Sequence, residues 1–304
     1  MGTCPYIGIS GHIAGGGFRF ASGMWGLTLD TVQSMNVVLA NATIVTASGT
    51  PNTDLFWVSM RGAASSFGII TSINVKTFVT SFFTTIFEYD WRLDYSTAAA
   101  ALSKFQVFML TDIPSELGVE INIGRGNSKG TVYFGWTALI PWASVRYSSN
   151  RAHISTVEAL DSSVVDTKVA GPDSTDAFYA KSLMMPEGQP MTLDIDSIHK
   201  TMLRIWFAWF MQFDLYGGGN SAINLVNVDS TVFSTRSALF TMQIMHCHTL
   251  KLVSPSWMMP LAITVIMGAS WDYGAYVNYP DDCLNSHTLM NLNFHGNGKP
   301  KLKE

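Results

Sequence analysis

The chain has 304 residues, enough for one large domain or two ordinary ones with a sizeable core. Hydrophobic residues make up 47% and charged residues 13%, against roughly 25% charged in a typical globular chain, which excludes a disordered chain or a coiled coil. The net charge of −4 offers no basic field to release counterions from phosphate, so nucleic-acid binding is excluded as a default.

The most apolar stretches, residues 205–213 and 257–267, fall short of the roughly 20 residues a membrane span needs, and Pro260 interrupts the second. Low charge with 9 Trp and 16 Met suits a secreted enzyme for neutral sugars, whose flat faces stack on aromatic rings. Cys4, Cys247 and Cys283 form neither a CxxC pair nor a zinc spacing, and an odd count leaves at least one sulfur unpaired within the chain. The start, Met1-Gly2-Thr3-Cys4-Pro5, has neither the charged region nor the apolar run of a signal peptide.

In chain order, glycines cluster first at Gly8, Gly11, Gly15, Gly16 and Gly17. That density marks either a tight turn or a loop whose backbone N–H groups approach a phosphate or flat ring. It lacks the GxGxxG spacing after a strand, so a Rossmann reading fails. Residues 34–40 and 44–47 read as a hairpin around Asn41-Ala42, and Asn41-Ala42-Thr43 is a glycosylation sequon at its tip. A short helix is expected from Asp54, with that residue as its N-cap, then a strand over 69–78.

The texture changes after residue 80. Strands are expected over 87–93, 117–124, 131–140, 211–216 and 237–245, with helices over 95–110 and 197–206. Gln212 and Asp214, two apart on a strand, project onto one face, and Gln243 on the next strand extends it. Alone, Asp214 reads as a strand-end turn residue. Glu120 is a further polar strand residue. His246 and His248 flank Cys247 on alternate positions, but no third ligand accompanies them, and no metal site is expected.

Longer runs carry a family resemblance. The first is GTCPYIGISGH (2–12) with Gly15-Gly16-Gly17-Phe18, followed by Met24–Asp30 (MWGLTLD) and DLFW…RGAASSFGI through Ile69. Together they resemble the flavin domain of the FAD-linked oxidases, the berberine-bridge-enzyme-like members of the vanillyl-alcohol-oxidase superfamily. QFDLYGG (212–218) and WDYGAYVNYPD (271–281) resemble the fungal glucooligosaccharide-oxidase-like branch. The resemblance covers most of the chain.

It implies an α+β fold: the C-terminal part of a PCMH-type FAD-binding domain over 1–80, an α+β substrate domain over 81–270 with an antiparallel sheet covered by helices, and a return segment over 271–304. It implies a secreted enzyme that oxidises the reducing-end hydroxyl of an oligosaccharide by hydride transfer to flavin N5, with oxygen as acceptor. A secondary-metabolite substrate, or a remnant that binds no flavin, stands as the alternative.

By the same resemblance Cys4 forms the 6-S-cysteinyl bond to FAD. Gly8, Gly11, His12 and Gly16 line the pyrophosphate and ribityl chain, and Thr3, Gly68, Ile70 and Asn278 lie near the cofactor. Tyr276 is the catalytic base, with Tyr279 as the alternative inward residue. A phenol titrates near 10, so a base role needs a neighbour that eases loss of its proton. Asp214 is the assisting carboxylate, and Gln212, Gln243 and Glu120 contact sugar hydroxyls.

The chain departs from the family pattern in places. The part expected before the GTCP run, with the histidine of a second flavin bond, has no counterpart, and the end stops inside the last family element. Arg19 stands where relatives have Gly and Gly23 where they have Arg. Val58-Ser59-Met60 is one residue long, Ala64 replaces a Gly, and the stretch between Gln243 and Trp271 is short.

Overall fold

Two antiparallel sheets organise the computed structural model, which describes residues 7–59, 67–79, 83–141, 153–158, 178–188, 209–231, 233, 235–247, 274 and 276. The first region opens with two short helices, α1 (Ile9–Ala14) and α2 (Ser22–Trp25), and a 3-10 turn over Thr28–Thr31. Its sheet has β1 (Val32–Val38) in the centre, between β2 (Ile44–Ser48) and β3 (Ile69–Val75). The expected hairpin is present: Val38 pairs with Ile44, and Ala42 turns the chain at φ 64°. The helix α3 (Thr53–Ser59) begins one residue before Asp54, which therefore sits in the first turn, where its charge meets the helix N-terminus.

Between α1 and α2 the chain reverses at Gly16 (φ 119°) and Gly17 (φ 75°), a conformation that L side chains avoid. A Cβ on Gly17 would also lie 2.6 Å from the Thr28 Cβ. The reversal is held from outside, since the Gly17 carbonyl accepts from Thr28 N at 3.0 Å and from Thr28 Oγ1 at 2.8 Å.

The second region is a seven-stranded sheet in the order β7-β4-β6-β5-β9-β10-β8. Its strands are β4 (Phe83–Asp94), β5 (Gly118–Arg125), β6 (Thr131–Pro141), β7 (His153–Glu158), β8 (Phe178–Pro186), β9 (Trp209–Leu215) and β10 (Ala238–Cys247). Helix α4 (Tyr95–Met109) is capped by Asp94, whose carboxylate accepts from the Thr97 N–H at 2.9 Å. These bonds hold the Asp94 carboxyl down at about 2. Ala98, Leu102, Gln106 and Met109 form the buried stripe of that helix, at helical spacing.

Strand alternation decides what the large sheet does. Val119, Ile121 and Ile123 of β5, Met211, Phe213 and Leu215 of β9, and Phe240, Met242 and Ile244 of β10 join Leu102 and Met109 in one core. The intervening residues, Glu120, Asn122, Gln212, Asp214, Thr241 and Gln243, therefore face the other way. A second core forms around Leu29, Met35, Val37 and Ala47, with Met184, Tyr216, Phe233 and Ala238 supplied by the second region.

The strands expected over 117–124, 131–140, 211–216 and 237–245 are present within two residues at each end. β4 starts four residues earlier than expected, and β3 ends three earlier, at Val75. β7 and β8 are additions. The helix expected over 197–206 lies outside the described residues. No described helix is long and apolar enough to cross a membrane.

Candidate active site

The polar face of the large sheet is built from two cross-strand rungs. Glu120 pairs with Asp214, and Asp214 with Thr241. Asn122 pairs with Gln212, Gln212 with Gln243, and Gln243 with Ser182 of β8. Such opposed side chains stand roughly 4.5–5.5 Å apart at Cβ, close enough to share hydrogen bonds. They do so here. Gln212 Nε2 donates to Glu120 Oε2 at 3.1 Å and to both Asp214 carboxyl oxygens at 3.1 Å, and Asn122 Nδ2 donates to Glu120 Oε1 at 2.6 Å.

Above this floor lies a cavity of about 300 Å³, at the small end of small-molecule sites. Glu120, Gln212, Asp214, Gln243 and Ser182 form one side of it. His12, Gly16, Phe18 and Arg19 from the glycine loop form the other, and Tyr276 lies in the wall.

Burial, reinforced by the charge of Glu120, pushes the Asp214 carboxyl up to about 8. The shift favours the protonated carboxyl, which can donate a hydrogen bond. Tyr216 beside it is fully buried, which raises its phenol. Its hydroxyl donates to the Thr235 carbonyl at 3.0 Å and its ring stacks on Phe18 at 5.2 Å.

Tyr276 is brought to the site by backbone pairing at the far edge of the sheet. Met184 N donates to the Gly274 carbonyl at 2.8 Å, and Tyr276 N donates to Ser182 Oγ at 2.9 Å. The Tyr276 hydroxyl then reaches His12 Nδ1 at 3.3 Å, while His12 Nε2 lies 2.9 Å from the Phe18 carbonyl. Burial lowers the His12 pKa below 6.5, and Arg19 adds to the effect.

Of the residues expected from sequence, Tyr276, Asp214, Gln212, Gln243, Glu120, His12 and Gly16 line this single cavity. Gly8 and Gly11 lie outside its lining, with nothing within 4 Å of the Cβ position. Gly68 and Ile70 belong to β3 and its approach. A Cβ on Gly68 would lie 2.5 Å from Val37 Cγ1, and Ile70 packs against the small core. Cys4, Thr3, Asn278 and the alternative Tyr279 lie outside the described residues.

Sequence reasoning missed Asn122, Thr241 and Ser182. Period-two alternation would have found the first two, whereas Ser182 needed β8, whose KSLMMP run reads as neither strand nor helix. Arg19 was noted only as a departure. Its guanidinium sits 5.7 Å from the Trp25 ring centroid, and its Nε is buried without a hydrogen-bond partner.

The fold is that of the PCMH-type FAD-binding oxidases. A solved structure of glucooligosaccharide oxidase from Acremonium strictum, described by its 6-S-cysteinyl, 8α-N1-histidyl FAD, superposes with a TM-score of 0.80 at 26% identity, over 97% of this chain and 67% of that one. Carbohydrate oxidase from Microdochium nivale, in complex with a substrate analogue, gives 0.81 at 25% identity, over 98% of this chain and 67% of that one. In sequence, the xylooligosaccharide oxidase of Thermothelomyces thermophilus is 33% identical over 242 residues, covering 74% of this chain and 48% of the relative. No protein-family model matches the chain. The chain is similar to fungal FAD-linked oligosaccharide oxidases, and it spans about half the length of the curated relatives it matches.

Proposed function

We propose that this chain carries the substrate-binding and proton-handling part of a secreted FAD-dependent oxidase that acts on the reducing-end hydroxyl of an oligosaccharide, with dioxygen as the final acceptor. The observation that carries the reading is the convergence of Tyr276, Asp214, Gln212, Gln243 and Glu120 on one cavity. Five hydrogen-bonding side chains around a void of about 300 Å³ suit a polyhydroxylated ring, which needs a donor or acceptor at each hydroxyl.

The residues present fit the redox end of a flavin. The glycine loop leaves open space at the Cβ positions of Gly8 and Gly11, and the buried Arg19 Nε has no hydrogen-bond partner among the described residues. In this reading Thr3, Gly8, Gly11 and Arg19 hold the cofactor, with Cys4 as its covalent attachment. When bound, FAD supplies the acceptor for the substrate hydride. Tyr276 takes the hydroxyl proton at its Oη, Asp214 donates a hydrogen bond to a neighbouring sugar oxygen below pH about 8, and Gln212 and Glu120 hold the ring in register.

The experiment is to express the chain with FAD, precipitate it with acid and record flavin absorbance in the pellet. Peroxide release is then measured over xylo-, cello- and chito-oligosaccharides. Yellow pellets with sugar-dependent peroxide support the reading. A colourless pellet removes the covalent cofactor, and a yellow pellet with no sugar oxidation removes the substrate class.

A further inference from the structure

His12 and Tyr276 are 264 residues apart in the chain, yet their side chains meet in the cavity wall with a hydroxyl–nitrogen distance of 3.3 Å. The chemistry of the two contacts on the imidazole determines how they meet. The Phe18 carbonyl can only accept, so His12 Nε2, 2.9 Å away, must carry the ring proton. A neutral imidazole has one N–H. Nδ1 is therefore the bare nitrogen, and the Tyr276 hydroxyl is the donor toward it.

The sequence builds this arrangement. Gly16 and Gly17 turn the chain through left-handed φ so that the Phe18 carbonyl faces back toward His12 in α1, and Thr28 locks the turn by two bonds to the Gly17 carbonyl. On the other side, Ser182 Oγ and the Met184–Gly274 bridge hold Tyr276. Both partners are anchored through backbone groups, so neither depends on a flexible tether.

We propose that His12 is the positioning residue of Tyr276 and the acceptor of its phenol proton. The inference rests on the reading of Tyr276 as the base. A neutral phenol can take a proton only as it gives up its own. The substrate hydroxyl proton moves to Tyr276 Oη as the phenol proton moves to His12 Nδ1. The electron pair of the broken O–H bond stays on the substrate oxygen, and one positive charge appears on the imidazole, whose Nε2–H remains on the Phe18 carbonyl. The pair thereby does what depression of a phenol's pKa from near 10 would otherwise have to do.

Burial keeps the imidazole neutral in the resting site, aided by the Arg19 charge from the same loop. The other titratable groups facing the pair across the cavity are Glu120 of β5, Asp214 of β9 and Tyr216 just beyond it. Once His12 is protonated, Nδ1 can no longer accept, and the acid limb of kcat/KM should follow this ring.

The test uses the full chain labelled with 15N-histidine, with His12 assigned by the resonance lost in His12→Gln. The expected spectrum shows Nδ1 unprotonated and Nε2 protonated. Tyr276→Phe should shift the Nδ1 resonance and raise the His12 pKa, by about half a unit or more, because a hydrogen bond that favoured the neutral ring is gone. A protonated Nδ1, or a His12 titration unmoved by Tyr276→Phe, overturns the proposal whether or not the chain is active.

In the kinetic arm, His12→Gln keeps an amide near the Nε2 position and should lower kcat roughly 10²-fold with KM little changed and the acid limb gone. His12→Asn, which places an oxygen near Nδ1, should recover part of the loss. An active enzyme whose kcat and acid limb survive His12→Gln overturns the proposal. A chain with no oxidase activity but the stated tautomer and coupled titration overturns the oxidase reading and the relay with it, and leaves the hydrogen bond itself established.

Discussion

The two regions differ in what they need from each other. Among the described residues, the core under the seven-stranded sheet draws on residues from Phe87 onward, including Leu102 and Met109 of α4 and the inward residues of β5, β9 and β10. The core of the three-stranded sheet is not closed by its own residues: Met184, Tyr216, Ile223, Phe233 and Ala238 complete it from the other region. Burial along the strands shows the same asymmetry. β3 has no buried residue and β2 only Ala47, whereas five residues of the eight in β5 are buried. Among the described residues the dependence is one-way: the core of the large sheet is closed by its own region, and the small one is completed by docking. The candidate site lies where they dock, with its floor on the rigid partner and its glycine loop on the dependent one.

The sharpest test of that division of labour is chemical. Tyr276→Phe removes the one hydroxyl that joins floor to loop through His12, and kcat should fall by about 10²–10⁴-fold while sugar binding, set by the floor, changes little. Stopped-flow flavin reduction and equilibrium sugar binding would check it. A comparable loss of binding would mean that Tyr276 belongs to the floor rather than to the seam.

Next in size is the buried ion pair that fastens the two regions. Arg236 donates to both carboxylate oxygens of Asp30 at 2.7 and 2.8 Å, and the two side chains are only 4% and 12% exposed. Asp30 also accepts from Leu27 N at 3.1 Å. Asp30→Ala strands the guanidinium and should cost about 3–5 kcal/mol. Because the large core needs nothing from Asp30, hydrogen exchange should quicken in β1 and remain slow in β5. Equal acceleration in both strands would break the one-way picture.

Leu102→Ala makes the converse cut. Leu102 is fully buried on α4, and truncation should cost about 2–5 kcal/mol. Here exchange should quicken in both sheets together, since loosening the large sheet also removes Met184, Tyr216 and Ala238 from the small core.

How much of this was legible in sequence depended on whether the signal was local. The β1–β2 hairpin, the α4 helix behind Asp94 and the inward alternation of β5, β9 and β10 could be read because period and turn residues are neighbours in the chain. The shared face of Gln212, Asp214 and Gln243 followed from the same period. The His12–Tyr276 contact could not be read, because no periodicity links residues 264 apart. The resemblance places His12 along the cofactor's pyrophosphate and ribityl chain, and the fold adds its contacts with the Phe18 carbonyl and Tyr276, which no local pattern announces. β8 was missed because its last part is apolar on both faces: Leu183 and Met185 enter the large core and Met184 the small one, which erases the alternation there. A strand serving two cores reads as no strand at all.

The last test concerns the floor itself, and the sign of its effect separates a binding role for Asp214 from a stabilising one. Its carboxyl is pushed up to about 8 by burial and by Glu120, well above the roughly 3.9 of an unfolded chain. The unfolded state therefore releases this proton near pH 4, while the folded state holds it to about pH 8. The contribution of Asp214 to stability is fully present below pH about 4, declines as pH rises, and is gone above about 8. Asp214→Asn keeps the shape and removes the titration. Denaturant melts should then show a flatter pH profile between 4 and 8 than the parent chain, with the variant the more stable of the two at the alkaline end. Should the two profiles run parallel, the carboxyl is ionised in the folded protein, and Gln212 alone, donating to both acids, must be what reconciles Glu120 with Asp214.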